Sequence, residues 1–225
     1  MLELRDVDVS IAGTQILRKV SFAIREGETV ALIGRNGAGK TTTLRAIMGL
    51  APLDCGAVLF DGRDLAGVPA HKRPALGIGY APEDRRLFSA FTVEQNILLP
   101  GRVAKLDQVE IARRLARAYS ILPELREMAD RPAGSVSGGQ GKMVALARAL
   151  MLGVRLILLD EPFQGLAPAL AHRYAEALRA LRDLDSSLTL IITESNPVLL
   201  KRFAERTLVI ERGEVAGGET SEAHP

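Results

Sequence analysis

The sequence predicts an α/β fold, a mostly parallel sheet with covering helices, and three observations carry that expectation. Two short apolar runs, Thr29-Val30-Ala31-Leu32-Ile33 and Leu156-Ile157-Leu158-Leu159, suit strands buried on both faces. Stretches of helical character follow each run, and this alternation favours parallel strands joined through helices that cover the sheet. The first run also passes directly into a glycine-rich segment, Gly34 to Gly39, and then into a helical stretch from Lys40 to about Leu50.

Taken in chain order, Leu2 to Val9 alternates apolar and polar residues with a period of two, as a half-buried strand does. Ile16 to Ile24 is a second strand candidate, and the two are expected as N-terminal antiparallel strands before the turn Glu26-Gly27-Glu28. Val58-Leu59-Phe60 enters a turn at Asp61-Gly62, and Gly77 to Ala81 is another short strand candidate. From Phe88 to Ala133 strand signals vanish. Leu106, Val109, Ala112, Leu115, Ala116 and Tyr119 fall at helical spacing along one face. The expectation is therefore a single domain over 1–225, with 1–87 and 136–225 as its core and 88–135 as a helical insertion. Beyond it, Met143 to Met151 and Ala169 to Leu184 read as helices, and Leu188 to Thr193 and Thr207 to Glu211 as strands. The last of these leads to a turn at Arg212-Gly213, and Gly217 to Pro225 reads as a small, polar, frayed tail.

Composition limits the function classes. A chain of 225 residues, 47% hydrophobic and 25% charged, buries a core without a disulfide or metal staple. Lysine and arginine total 29 against 27 acidic residues, a net charge of +2, so no basic footprint argues for nucleic acid as a partner. Cys55 is the sole cysteine, which excludes an intrachain disulfide and favours a reducing compartment. His71, His172 and His224 are scattered without metal-ligand spacing. Met1 to Asp6 carries charge where a secretory leader needs an apolar stretch, and no window approaches the roughly 18 apolar residues of a membrane-spanning helix. The chain itself is expected to be soluble, with room for a membrane-bound partner.

Three motifs carry chemistry. Gly34-Arg35-Asn36-Gly37-Ala38-Gly39-Lys40-Thr41 fits the phosphate-binding loop, with Gly34, Gly39, Lys40 and Thr41 at the required positions and a strand and helix on either side. Glycines let successive N–H groups turn into one concavity, and the following helix adds its positive dipole end. Asn36, Gly37, Ala38, Gly39, Lys40, Thr41 and Thr42 are the candidate phosphate contacts. Lys40 can reach the β- and γ-phosphates, and the Thr41 hydroxyl can ligate Mg²⁺. The run ending at Leu159 supplies Asp160 as a second Mg²⁺ ligand and Glu161 as the group that orients an attacking water. Together these features are those of a P-loop NTPase. Ser137-Gly138-Gly139-Gln140 then precedes a helix about twenty residues before Asp160.

With this third motif in the same order, the chain resembles, over nearly its whole length, the ATP-binding subunits of ABC transporters. The resemblance implies ATP and Mg²⁺ as cofactors and a head-to-tail dimer with a second ATP-binding subunit, identical or homologous. Ser137, Gly138, Gly139 and Gln140 would then meet the nucleotide held by that partner. It further implies transmembrane permease subunits, a solute-binding protein engaged indirectly, and a peripheral location on the cytoplasmic face of the membrane.

Three positions depart from the family pattern. Ile11 in Ser10-Ile11-Ala12-Gly13 stands where an aromatic residue usually stacks on adenine. Glu83 stands where a glutamine usually contacts Mg²⁺ and the membrane partner, and Ser195 where a histidine usually sits near the γ-phosphate. Serine donates a hydrogen bond but cannot carry the histidine charge. Pro82 to Phe88, Glu194-Ser195-Asn196 and Gly165-Leu166-Ala167-Pro168 resemble the shorter ATP-binding subunit of branched-chain amino-acid importers. Related importers carry urea or short amides. A regulatory subunit that hydrolyses ATP weakly within a heterodimer is the alternative reading.

Overall fold

The computed structural model describes residues 1–84, 86–196, 198, 200 and 204–220, the side chains of 217–220 aside. The chain forms two compact units, one from Met1–Leu76 with the described residues from Ser187 onward, the other from Gly77–Ser186.

The first unit holds two strand systems. β1 (Leu2–Ile11) lies between β2 (Thr14–Ile24) and β4 (Cys55–Phe60), antiparallel to both, and the short β5 (Arg63–Asp64) edges β4. The β1–β2 turn uses Ala12 and Gly13 at φ 49° and 79°, the positive pair that a tight hairpin matching strand twist requires. β3 (Thr29–Ile33) runs parallel to both β8 (Thr189–Glu194) and β9 (Arg206–Glu211). Its central residues Val30, Ala31 and Leu32 are fully buried, as a continuous apolar run between two neighbours should be. α1 (Lys40–Met48) buries Leu44 and Ile47 completely, each worth about 1.5–3 kcal/mol, and ends at Gly49 in the left-handed conformation that closes a helix.

One expectation fails here. β10 (Glu214–Thr220) pairs antiparallel with β9 as far as Thr220 opposite Arg206, so Gly217 to Thr220 is strand, with a register shift at the two glycines, rather than frayed tail. Edge pairing of this kind is made by backbone groups, and small polar residues leave no periodic trace of it. Residues 221–225 lie outside those described.

The second unit is built around α5 (Gly138–Leu152). β6 (Ile78–Ala81) and β7 (Leu156–Asp160) form a parallel pair, and β7 is buried along its whole length. Gly79 in β6 lies so close to α5 that a Cβ there would overlap the Ala149 carbonyl. The expected helical stretch over 88–135 contains α2 (Val93–Val103), α3 (Gln108–Ile121) and the single turn α4 (Glu124–Glu127). Thr92 caps α2 through a reciprocal box with Gln95, and Asp107 caps α3 by accepting from the Glu110 N–H.

The expected apolar face of α3 is corrected in part. Val109 is 80% exposed, and Ala112 and Ala116 are exposed too. Leu115 and Tyr119 of the expected face do turn inward, joined by Ile111, Ala118 and Ile121 rather than by Val109, Ala112 and Ala116. Alanine is small enough to sit on either face, so its spacing does not mark the buried one. α5 also starts at Gly138, five residues before the apolar stretch that marked it in the sequence, because its first turn is capped rather than buried. α6 (Pro168–Leu184) has proline in its first turn, where the missing N–H costs nothing.

Candidate active site

In the first unit the loop after β3 is fixed by its glycines. Gly34 N–H donates to the Glu194 carbonyl at the end of β8, 3.3 Å away. Gly39 adopts φ 115°, and a Cβ there would stand 2.8 Å from Leu17 Cδ2 and 3.1 Å from Ile210 Cδ1. Gly37 sits at φ 80° and Ala38 N–H closes a turn onto the Arg35 carbonyl at 3.0 Å. Asn36 and Gly37 are exposed at the crest, whereas Ala38, Gly39, Lys40 and Thr42 are buried and Thr41 is half-buried. A cleft of about 460 Å³ opens beside the loop, lined by Gly34 to Ala38 and by Val209 to Arg212.

The Lys40 ammonium is folded across its own loop. Nζ donates to the carbonyls of Gly34 at 2.7 Å and Arg35 at 3.2 Å, and to Ser195 Oγ at 3.0 Å. Ser195 Oγ in turn donates to Asn36 Oδ1 at 2.7 Å. Ser195 follows β8 directly, so parallel pairing of β8 with β3 carries it to the loop. Ile11, by contrast, is 45% exposed at the end of β1.

In the second unit, Asp160 and Glu161 follow one another at the end of β7, 2% and 5% exposed. Tyr80 Oη donates to Asp160 Oδ2 at 3.3 Å. Glu161 adopts φ 44°, left-handed backbone that costs a non-glycine residue about 1–2 kcal/mol. Its carbonyl accepts from the Gln164 N–H at 3.2 Å and from Lys142 Nζ at 2.5 Å.

Ser137 caps α5. Its Oγ accepts from the Gln140 N–H at 3.2 Å, and Gln140 Oε1 accepts from the Ser137 N–H at 2.9 Å. That box uses the hydroxyl as an acceptor, so its hydrogen can still be offered outward from an exposed helix end. Gly139 is required by packing, because a Cβ there would overlap the Leu170 side chain of α6.

Glu83 is exposed in the turn after β6, and Arg85 lies outside the described residues. The segment that follows is held by Arg148, whose guanidinium lies 5.7 Å from the Phe88 ring centre and donates to the Arg86 carbonyl at 2.9 Å. Burial lowers the pKa of that guanidinium. Phe88 and Phe91 stack at 5.5 Å and remain 50% and 38% exposed.

A family model for the ABC transporter matches residues 17–164, a span that contains the phosphate loop, Ser137 to Gln140, Asp160 and Glu161. The chain belongs to the ABC transporter family. The high-affinity branched-chain amino acid transport ATP-binding protein BraG of Pseudomonas aeruginosa is 34% identical to it, over 99% of this chain and 94% of the relative. The lipopolysaccharide export system ATP-binding protein LptB of Escherichia coli is 32% identical, over 98% of this chain and 91% of the relative. A dimeric ATP-binding cassette in a post-hydrolysis state, bound to ADP and Pi, superposes with a TM-score of 0.87 at 25% identity, covering 100% of both chains. The protein is thus an ABC ATPase, an ATP-binding cassette of the P-loop NTPase fold.

Two contacts of this ABC ATPase were not anticipated from its sequence. Tyr80 reaches Asp160 across 80 residues, and Lys142 reaches Glu161 across 19.

Proposed function

We propose that this ABC ATPase is the ATP-hydrolysing subunit of an importer for branched-chain amino acids or a related small polar solute. The observation that carries hydrolysis is Glu161, a buried carboxylate residue held in left-handed backbone immediately after Asp160. Such strain persists where surroundings over-determine it, commonly at functional positions.

The loop N–H groups from Asn36 to Thr42 bind phosphate oxygens, and Lys40 exchanges its carbonyl partners for the β- and γ-phosphates. The Thr41 hydroxyl and the Asp160 carboxylate, both hard oxygen donors, would hold Mg²⁺, with Glu83 as a third candidate. When bound, Mg²⁺ supplies neutralisation of the charge that develops on the phosphates. Glu161 orients a water and accepts its proton as the oxygen attacks phosphorus and ADP leaves. Ser195 donates a hydrogen bond without supplying positive charge, so turnover is slow beside that of a histidine-bearing cassette. Ile11 gives the base an apolar contact in place of a stacked ring.

Ser137, Gly138, Gly139 and Gln140 serve the nucleotide of a second ATP-binding subunit, which the exposure of Ser137 and Gly138 at the start of α5 supports. Permease subunits meet the segment after Glu83, where Phe88 and Phe91 offer apolar surface. The helical stretch over 88–135 acts as a subdomain that carries this surface. Among the described residues no helix is long and apolar enough to cross a membrane, in keeping with a peripheral place on the cytoplasmic face.

Import of a branched-chain amino acid rests on the motifs shared with that subfamily, and the similarity to BraG supports it; urea or a short amide is the nearest alternative cargo. The departures at Ile11 and Ser195 favour a second reading, a weakly hydrolysing subunit in a heterodimer. Reconstitution with the cognate permease and binding protein in vesicles tests both. ATP-driven leucine uptake that fails with Glu161→Gln is expected; uptake of urea alone, or uptake unaffected by that substitution, overturns the respective claim.

A further inference from the structure

We infer that Lys142 is a positioning residue for Glu161, tying the helix that begins at Ser137 to the carboxylate proposed to orient water. This rests on the role proposed for Glu161. Lys142 is 8% exposed, so its ammonium is placed by packing rather than by solvent, and it lies two residues beyond Gln140 on α5. Its Nζ donates to the Glu161 carbonyl at 2.5 Å. That peptide oxygen belongs to a residue at φ 44°, so holding it holds the backbone from which the Glu161 side chain departs.

A left-handed non-glycine residue relaxes unless its neighbours hold it. The Gln164 N–H provides one restraint on the carbonyl at 3.2 Å, from the same turn. Lys142 provides another from a different element, and a charge-assisted bond is the stronger type. Because Ser137 and Lys142 share the rigid first turns of α5, a ligand that draws on Ser137 moves Lys142 with it. The Glu161 backbone thereby follows the state of the Ser137 loop. This gives the second ATP-binding subunit and its nucleotide a route to the water-orienting group that does not pass through the nucleotide on this chain's own phosphate loop.

The test is a double-mutant cycle in whichever assembly the wild type hydrolyses ATP. Lys142→Met keeps the aliphatic bulk and removes the donor; Lys142→Gln restores an N–H donor. We expect Lys142→Met to lower kcat at least tenfold with KM for ATP within twofold, and Lys142→Gln to recover much of the loss. In the Glu161→Asp background, which keeps a carboxylate and residual turnover, Lys142→Met should cause little further fall, because a positioning residue acts only through its partner. A further fall of tenfold or more in that background, or an unchanged kcat for Lys142→Met, overturns the inference. If Lys142→Met does not fold, the cycle is run with Lys142→Gln and Lys142→Arg, where equal kcat values to wild type in both and in Lys142→Ala would overturn it. Retention of turnover by Glu161→Gln itself would instead overturn the role proposed for Glu161.

Discussion

Arg73 gives a prediction whose size follows from the structure. It lies in a 3₁₀ turn, Ala70–Leu76, and is only 7% exposed. Nη1 donates to the carbonyls of Ala46 at 2.9 Å and Ile47 at 2.5 Å, Nη2 to Leu65 at 3.0 Å and Nε to Val68 at 3.0 Å. The guanidinium thus satisfies the end of α1, the helix that begins at Lys40, and places positive charge at the helix end that favours it. In Arg73→Met the Ala46 and Leu65 carbonyls keep backbone donors, the N–H groups of Gly49 and Val68. The Ile47 and Val68 carbonyls lose theirs, at about 1–3 kcal/mol each. Part of that loss is returned, because burial disfavours the cation and lowers its pKa. A net loss of about 3 kcal/mol results. For a chain of this size that lowers Tm by roughly 6–12 °C. Arg73→Lys keeps the charge but cannot reach four carbonyls, so it should fall between. Calorimetric melting of the three proteins at one concentration decides it. A Tm for Arg73→Met within 2 °C of wild type would refute the reasoning.

Three further outcomes are expected. Gly39→Ala forces a Cβ against Leu17 and Ile210 at φ 115°, so equilibrium dialysis should find ATP binding weakened at least tenfold; Gly62→Ala, at φ 74° in open space, should lose stability alone. Ser137→Ala removes the cap of α5 and lowers Tm by about 2–4 °C, on a cap worth about 1 kcal/mol. Ser137→Asp keeps the cap and the Tm yet loses turnover, separating the folding role of this side chain from its proposed role at the nucleotide. Glu110 is paired with Arg113 and Arg114, and hydrogen bonds from both hold its carboxyl down from 4.5 to about 2. A depressed acid stabilises the fold above its unfolded pKa, so Glu110→Gln should cost about 1 kcal/mol at pH 7. In urea titrations that difference should fade as pH falls from about 4.5 towards 2.

Legibility varied with the kind of signal. β3, β7 and α1 were readable because burial on both faces and a glycine-to-lysine transition leave composition traces. β10 was not, since an edge ladder needs only backbone groups. The face of α3 was displaced because Ala112 and Ala116 fit the helical period without being buried. The phosphate loop was legible as a local string, whereas the Lys40–Ser195–Asn36 chain of hydrogen bonds joins residues about 155 positions apart and needed the β3–β8 pairing to appear. The backbone strain at Glu161 has no sequence signature at all, because glutamate does not announce a left-handed torsion.

The central claim, that two copies or homologues complete each other's ATP sites and that Glu161 drives hydrolysis, is tested most directly by Mg²⁺-ATP turnover of the purified chain across a range of protein concentrations. Turnover rising more steeply than linearly with protein, and disappearing in Glu161→Gln, is the predicted result. Turnover strictly linear in protein, or retained by Glu161→Gln, would contradict it.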